Sequence, residues 1–266
     1  MSGLLLYRRL VGARVRAQLQ YRTSFVVESI NMFFATFLDF VEVLVLFRHF
    51  PALDGWTLEE VAFLYGVSGI GFALADLVIG HIEDINQQIR TGQFDAVLLR
   101  PAGTLFQVVA ADLALRRLGK AAQALLVLGW AASRLDLSWG PREIALTLGA
   151  IVSAAAIFAA LFIITACVQF FVLGAGEVAN GFTYGGQYTT QYPISIFGPW
   201  LRRFLAYGIG LAFICYLPGL AILDHADPLA LPEWLRYCSP IAAVLMIGIA
   251  RSVWHWSVRH YRSAGS

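Results

Sequence analysis

Residues 142–172, with the sequence REIALTLGAIVSAAAIFAALFIITACVQFFV, contain no charged side chain after Glu143. A helix needs about 20 mainly apolar residues to cross the hydrocarbon core of a bilayer. This stretch is longer than that, and it therefore predicts a transmembrane helix.

The composition of the whole chain agrees with this prediction. Of the 266 residues, 59% are hydrophobic and only 14% are charged, whereas charged residues make up about a quarter of an ordinary globular protein. This balance is typical of a protein that crosses the membrane several times. The formal net charge of +2 is too small to indicate binding to nucleic acid.

Six stretches are long and apolar enough to be spans, which predicts an all-α, polytopic integral membrane protein. No internal repeat or linker is visible, so residues 1–266 are expected to form one transmembrane domain. The third stretch is interrupted by RRLGK (116–120), so its helix either starts in the cytosol or enters the bilayer near Gly119. Residues 4–22 alternate apolar side chains with arginine, which predicts an amphipathic helix at the membrane surface. The predicted spans are about 25–47, 58–80, 104–133, 142–172, 204–223 and 238–258.

Arginine and lysine residues set the predicted orientation, because they are enriched on the cytoplasmic side of membrane proteins. With both termini in the cytoplasm, fifteen of the nineteen cations lie at or near that side. The other four lie outside: Arg48, Arg134, Arg142 and Arg236. The predicted location is the inner (cytoplasmic) membrane of the cell.

The segment HIEDINQQIRTG (81–92) joins the second and third predicted spans on the cytoplasmic side. Ile82, Ile85 and Ile89 recur at spacings of three and four, which predicts a short helix with one apolar edge. Gly92 is suited to ending this helix. A surface loop that merely joins two spans is the alternative. The polar edge of the predicted helix consists of Glu83, Asp84, Asn86, Gln87 and Arg90.

The first predicted span carries acidic residues, although a charged side chain at the bilayer centre costs about 2.5–3.5 kcal/mol. On a helix its polar residues fall within an arc of about 80°, so they form one stripe. The stripe either lines a translocation path that favours cations or pairs with groups on neighbouring helices. Asp76 and Glu177 are further polar positions without an assigned role. The residues predicted to line the path are Glu28, Asn31, Asp39 and Glu42.

The stretch IRTGQFDAVLLRPAGTLFQ (89–107) resembles a loop of ATP-binding-cassette (ABC) transporter permeases of the type-two exporter class. More narrowly, it is similar to a six-span family associated with export of drugs or cationic toxic compounds. That loop reads approximately Ile-x-x-Gly-x-Leu/Phe-Asp-x-x-Leu-Leu-x-Pro. Residues 192–223 and the terminal YRSAGS (261–266) also resemble the family. One departure is that the family commonly has a proline early in the fifth span, where this chain has YGIG (207–210).

The resemblance implies a permease subunit of an ABC exporter, which moves a substrate out of the cytoplasm with ATP hydrolysed by a separate ATPase subunit. A hydrophobic or cationic drug-like compound is the expected cargo. The chain has no G-x-x-x-x-G-K-[ST] phosphate loop, because its only Gly-Lys pair, Gly119-Lys120, is followed by Ala121. No cofactor is therefore expected in this chain, and ATP and magnesium would be bound by the partner.

The implied partners are a cytoplasmic dimer of ABC ATPases, a second permease subunit that is identical or homologous, and the lipid bilayer. The helix within 81–92 is the expected docking element, since its ends are tied to two spans and would pass on motion of the ATPase. The residues expected to contact the ATPase are His81, Glu83, Asp84, Asn86, Gln87, Arg90, Gly92 and Asp95.

An ion-coupled secondary transporter is the alternative function, because intramembrane carboxylates suit such a protein. The absence of a repeat and the small number of spans weigh against it. No catalytic or metal-binding residues are predicted, since the sequence lacks G-x-S-x-G, H-E-x-x-H and any Cys/His pair at ligand spacing. The polar stretch 174–203, rich in Gly and Tyr, is expected to form short helices at the cytoplasmic surface, partly re-entrant.

Overall fold

The computed structural model describes Gly12, Arg16, Gln20 and residues 22–172, 174–227 and 231–261. Most of the predicted helix 4–22 and most of YRSAGS lie outside these residues. Over the described part, the chain is all-helical, as predicted, and has no β-strand. Its α-helices are α1 (Arg22–His49), α2 (Leu58–Ile79), α3 (Ile85–Arg90), α4 (Gln93–Leu98), α5 (Thr104–Val109), α6 (Leu118–Arg134), α7 (Pro141–Val168), α8 (Gly176–Thr190), α9 (Pro199–Arg203), α10 (Tyr216–Ile222) and α11 (Ser239–Arg259).

Four helical runs of the described chain are long and apolar enough to cross a membrane: α1, Leu58–Arg90, α7 and α11. They coincide with the first, second, fourth and sixth predicted spans. The count rises to five if the bent pair Pro199–Ala206 and Leu211–Ile222, with 70° between its two parts, is one span. The third and fifth predicted spans are therefore not single long helices.

The third predicted span, 104–133, is interrupted. α5 ends at Val109, a non-helical stretch and a 3₁₀ turn (Leu115–Arg117) follow, and α6 then supplies 17 residues. The interruption lies beside RRLGK, two of whose cations, Arg117 and Lys120, turn towards Asp76 of α2. We attribute the break to this pairing, since it keeps the charges away from lipid.

The parallel course of α7 and α11 determines how the chain between them must run. At the start of α7, Nη2 of Arg142 donates a hydrogen bond of 3.0 Å to the hydroxyl of Tyr237, just before α11. At the other end, the rings of Phe170 and Trp254 lie 5.6 Å apart. Because both helices begin at one end of the bundle and finish at the other, the intervening chain must pass back through the bundle once.

Helix α8 makes the first half of this return passage, so segment 174–203 enters the bundle, in line with the re-entrant course expected for part of it and not with helices confined to the surface. The Oγ1 atoms of Thr183 and Thr165 lie 3.2 Å apart, which places α8 against α7. At the end of α8, Oγ1 of Thr190 lies 2.6 Å from Oγ of Ser68, halfway along α2. The hydroxyl groups of α8 thus bond to neighbouring helices, so one face of this polar helix can pack against the bundle.

The second half of the passage corrects the fifth predicted span, 204–223, because its path is broken. Phe204–Gly208 forms a π-helical turn, and Gly210 has a φ of 75°, in the left-handed region that glycine adopts readily. The break falls within YGIG, where the sequence departs from the family pattern. Beyond it, α10 reaches the end of the bundle at which α2 begins, and the ring of Tyr216 lies 5.9 Å from that of Trp56.

Helix α2 is central, and glycine residues allow its neighbours to approach closely. A Cβ atom added at Gly66 would lie 2.6 Å from Cβ of Leu128 in α6, and one at Gly71 would lie 2.5 Å from Cβ of Ala154 in α7. Small residues at such contacts are common where helices pack inside membranes. By contrast, α1 lies at the edge of the bundle, and only two of its residues, Phe40 and Val43, are buried.

Candidate docking surface and substrate path

The connecting segment, which we define as residues 80–98, continues α2 instead of standing apart as a short helix. A 3₁₀ turn (Gly80–Asp84) leads from α2 directly into α3, so that the helical run has 33 residues. The apolar edge indicated by the sequence spacing packs into the bundle, because all three of its isoleucines are buried: Ile82, Ile85 and Ile89.

The polar edge of the connecting segment divides into exposed residues and residues that contact the bundle. Glu83 is partly buried, and its Oε2 accepts a hydrogen bond of 3.3 Å from the hydroxyl of Tyr184 in α8. The backbone N–H of Asn86 donates a hydrogen bond of 3.1 Å to Oε1 of Gln169. The exposed members of the edge are Asp84, Gln87 and Arg90.

The other predicted docking residues contact the protein's own backbone. Nε2 of His81 lies 2.5 Å from the carbonyl oxygen of Val108, so this ring is turned towards α5 and away from the exposed edge. Gly92 has a φ of 70° and separates α3 from α4, which agrees with its predicted place at the end of a helix. The backbone N–H of Asp95 donates to the carbonyl of Gly92 over 3.2 Å.

An aromatic side chain anchors the connecting segment to the ends of two long helices. Phe94 is fully buried, and its ring centroid lies 5.2 Å from that of Phe170, just after α7. The rings of Trp254, in α11, and Tyr261, just after it, lie 6.5 and 5.1 Å from Phe94. A displacement of the connecting segment would therefore be passed on to α7 and α11 as well as to α2.

A polar cleft of about 390 Å³ lies between the exposed edge and the start of α8. Nε2 of Gln169 and Oδ1 of Asn180 are buried there without a hydrogen-bond partner among the described residues. The sequence reasoning missed both residues and gave Glu177 no role, because the turn after α7 that brings them to the connecting segment leaves no pattern in the sequence. The cleft is lined by Glu83, Asp84, Asn86, Gln87, Arg90, Thr91, Gln169, Gly176, Glu177 and Asn180.

A buried ionic cluster joins α2, α6 and α8 beside the connecting segment. Asp76 is fully buried; its Oδ1 lies 2.7 Å from Nη1 of Arg117, and its Oδ2 lies 3.0 Å from Nζ of Lys120. Arg117 also donates to the backbone carbonyl of Asp76. Nζ of Lys120 lies 5.5 Å from the ring centroids of both Phe72 and Tyr184. We call Asp76, Arg117 and Lys120 the Asp76 cluster.

The Asp76 cluster depends on a glycine at the start of the connecting segment. A side chain at Gly80 would overlap the guanidinium of Arg117 and the carboxylate of Asp76. The signal for this cluster was present in the sequence as RRLGK in one apolar stretch and Asp76 in another, but it did not show that the two stretches would be neighbours.

The stripe on α1 does not form one enclosed site within this chain. Near the start of the helix, Oε2 of Glu28 lies 3.6 Å from Nη1 of Arg116, as expected for a local ion pair, and both side chains are about half exposed. Asn31 is exposed. Three turns after Glu28, Asp39 is partly buried and accepts a hydrogen bond of 3.4 Å from the hydroxyl of Tyr188 in α8. Its neighbour Glu42 is exposed.

The described residues contain no group of three or more His, Cys, Asp or Glu side chains placed to hold a metal ion. The features that they do bring together are a polar surface next to α8, an ionic cluster behind it, and an acid–tyrosine contact further along the bundle.

Comparison with known proteins agrees with this description. The model of a family described as "ABC-2 family transporter protein" matches residues 33–265, which include most of α1 and every later helix. No curated protein and no solved structure is significantly similar to the chain. Members of the matched family are membrane subunits, generally not catalytic themselves, that normally work with an ATPase partner. Because the match extends over nearly all of the described bundle, the chain belongs to the ABC-2 family of transporter proteins.

Proposed function

We propose that the chain is the permease subunit of an ABC exporter and that its ATPase docks at the polar cleft. The observation that supports this is the position of the exposed edge: Asp84, Gln87 and Arg90 lie at the end of a 33-residue helical run that continues into the bundle. A partner that grips this edge can move α2 directly. It can also move α7 and α11 through Phe94.

The proposed assembly contains two ATPase chains and two permease subunits, identical or homologous. ATP and magnesium bind to the ATPases, and no nucleic acid takes part. In the proposed topology, residues 1–266 form one domain in the inner membrane with both termini in the cytoplasm. The six crossings are made by α1, α2, α6, α7, the combined passage of α8 and α10, and α11. With 17 residues, α6 is at the lower limit for a span.

The proposed cargo is a hydrophobic or cationic compound that travels outward past the stripe on α1. Asp39 and Glu42 are the proposed ligands for a positive charge. Glu28 is not proposed as a ligand for the cargo, because its charge is already compensated by Arg116. The hydroxyl of Tyr188 beside Asp39 supplies a polar contact, and its ring supplies an aromatic one.

Charge reversal at the exposed edge tests the docking proposal. Asp84→Lys together with Arg90→Glu should weaken binding of the cognate ATPase about tenfold or more, equivalent to about 1.4 kcal/mol, because complementary charges at the surface become repulsive. The measurement is the affinity of the purified, detergent-solubilised permease for its ATPase, together with ATP-dependent export in vesicles. Arg134→Glu, an exposed charge reversal at the other end of the bundle, is the matched control.

Unchanged ATPase binding by the double variant would place the docking surface elsewhere. Transport that continues without ATP but stops with an uncoupler would instead identify an ion-coupled secondary transporter. The two results are distinguishable, because the first concerns the position of the partner and the second concerns its existence.

A further inference from the structure

Charged side chains of both signs meet at the end of the bundle opposite the polar cleft. Arg142 and Glu143 belong to the first turn of α7, Asp224 follows α10, and Arg236 lies in the 3₁₀ turn before α11. They line a second cleft, of about 290 Å³, which we call the far cleft. Two cations and two carboxylates therefore face one small volume.

The contacts of these side chains leave hydrogen-bonding capacity unused. Nη2 of Arg142 donates to the hydroxyl of Tyr237, but its Nη1 is 3.8 Å from Oε1 of Glu143, beyond hydrogen-bond distance. Oε2 of Glu143 accepts a hydrogen bond of 3.1 Å from the N–H of Gly140, so one oxygen of this carboxylate holds the start of α7. Nε of Arg236 is buried without a hydrogen-bond partner in the described part of the chain. The cations of the far cleft are therefore not fully paired by the described residues.

An exposed apolar surface begins immediately beside the far cleft. Trp234 is 65% exposed and Tyr237 is 48% exposed, and aromatic residues of this kind are enriched where a membrane meets water. From that level, α7 and α11 each continue with exposed apolar side chains, which we together call the apolar stripe. Each of its side chains is about half exposed or more: Ile144, Leu148, Ile241, Val244 and Leu245.

We propose that the far cleft binds the headgroup of a zwitterionic phospholipid. The phosphate accepts hydrogen bonds from Arg142 and Arg236, the headgroup ammonium lies against Glu143 and Asp224, and the acyl chains cover the apolar stripe. Arginine suits the phosphate because its planar guanidinium can donate two parallel hydrogen bonds. A free phosphate is a poorer match, since the two carboxylates would repel it and the stripe would remain uncovered.

Lipid binding to the purified full-length protein tests this inference. Native mass spectrometry should show retention of phosphatidylethanolamine by the wild-type chain and about fivefold weaker retention of phosphatidylglycerol, which has no ammonium group. Arg142→Gln with Arg236→Gln should abolish the preference, because the phosphate loses its donors. Arg134→Gln, which removes an exposed charge at the same end of the bundle but outside the far cleft, should preserve it.

Equal retention of the two lipids by the wild-type protein would overturn the proposal, as would a lipid preference that survives in the double variant. A thermal shift with inorganic phosphate as large as that with the lipid would also overturn it, because the site would then take a soluble anion. If the double variant does not fold, the competition between the two lipids on the wild-type chain decides alone. None of these measurements involves the ATPase, so their failure would leave the proposed function intact.

Discussion

At the scale of single residues, Asp76 shows how a charge can be kept within a membrane bundle. Its carboxylate is fully buried, and it faces Arg117, in the 3₁₀ turn before α6, at 2.7 Å and Lys120, in α6, at 3.0 Å. Glu83 lies further along the same helical run and bonds to Tyr184, whose ring also lies near Lys120. A buried charge is tolerated when it is paired, and the removal of one partner leaves the other uncompensated.

Replacement of Asp76 should therefore destabilise the protein strongly. Asp76→Asn leaves Arg117 and Lys120 without an anionic partner and should cost about 3–5 kcal/mol of unfolding free energy. Lys120→Met should cost less, since Arg117 still compensates Asp76. The measurement is unfolding in detergent, with the exposed Asp136→Asn as control. If Asp76→Asn were as stable as that control, the cluster would have no stabilising role.

At the scale of elements, the stripe on α1 is divided by its neighbours. The half that contains Glu28 lies beside Arg116, whereas the half that contains Asp39 and Glu42 lies beside the end of α8, at Tyr188. One helix thus carries acidic groups with two kinds of surroundings. Glu28 therefore belongs to an ion pair with Arg116, whereas Asp39 and Glu42 are candidates for a role in transport. The difference follows from which helices pack against each half of α1.

This division predicts different transport phenotypes for the two halves. Asp39→Asn with Glu42→Gln should slow the export of a cationic dye about tenfold, equivalent to about 1.4 kcal/mol, because the negative charge that attracts the dye is lost. Glu28→Gln should leave export close to the wild-type rate. Transport is measured in vesicles that contain equal amounts of correctly inserted protein. Wild-type export by the double variant would remove Asp39 and Glu42 from the proposed path.

At the scale of the whole molecule, the two clefts mark opposite ends of the bundle. The polar cleft lies where α2 leads into α3, and the far cleft lies where α7 and α11 begin. In the proposed topology the first faces the cytoplasm and the second faces outward. The partner that supplies energy and the proposed lipid would then act on opposite sides of the membrane.

Thiol labelling of intact cells tests this arrangement. Exposed positions at the two ends are Gln87 and Ser138, and each can be replaced by cysteine in a chain that also carries Cys238→Ser. An impermeant maleimide should label Ser138→Cys from outside and should label Gln87→Cys only after permeabilisation. Because Cys167 and Cys215 are buried, background labelling should be low. Labelling of Gln87→Cys in intact cells would reverse the topology and exclude docking of a cytoplasmic ATPase at that edge.

Much of the helical architecture could be predicted because bilayer thickness imposes a minimum length on apolar stretches. Four of the predicted spans coincide with long helices, and the spacing of Ile82, Ile85 and Ile89 correctly indicated a buried edge. Of the two courses left open for the third stretch, the structure shows the one in which the helix begins beside Gly119, at Leu118, whereas the fifth predicted span was wrong as a continuous helix. In the third stretch, Arg117 and Lys120 form ion pairs with Asp76, and in the fifth stretch the chain turns at Gly210. Neither effect can be read from average hydropathy.

The sequence by itself determined that the chain is helical, that it belongs in a membrane and that it lacks a phosphate loop, because composition and local spacing suffice for these properties. It did not determine which polar groups meet. The neighbours of Asp76, the packing of α8 against α2 and the two clefts arise from contacts between residues that are far apart in the chain. Pairing of buried charges and hydroxyl groups depends on which helices lie side by side, so it becomes visible only when the bundle is assembled.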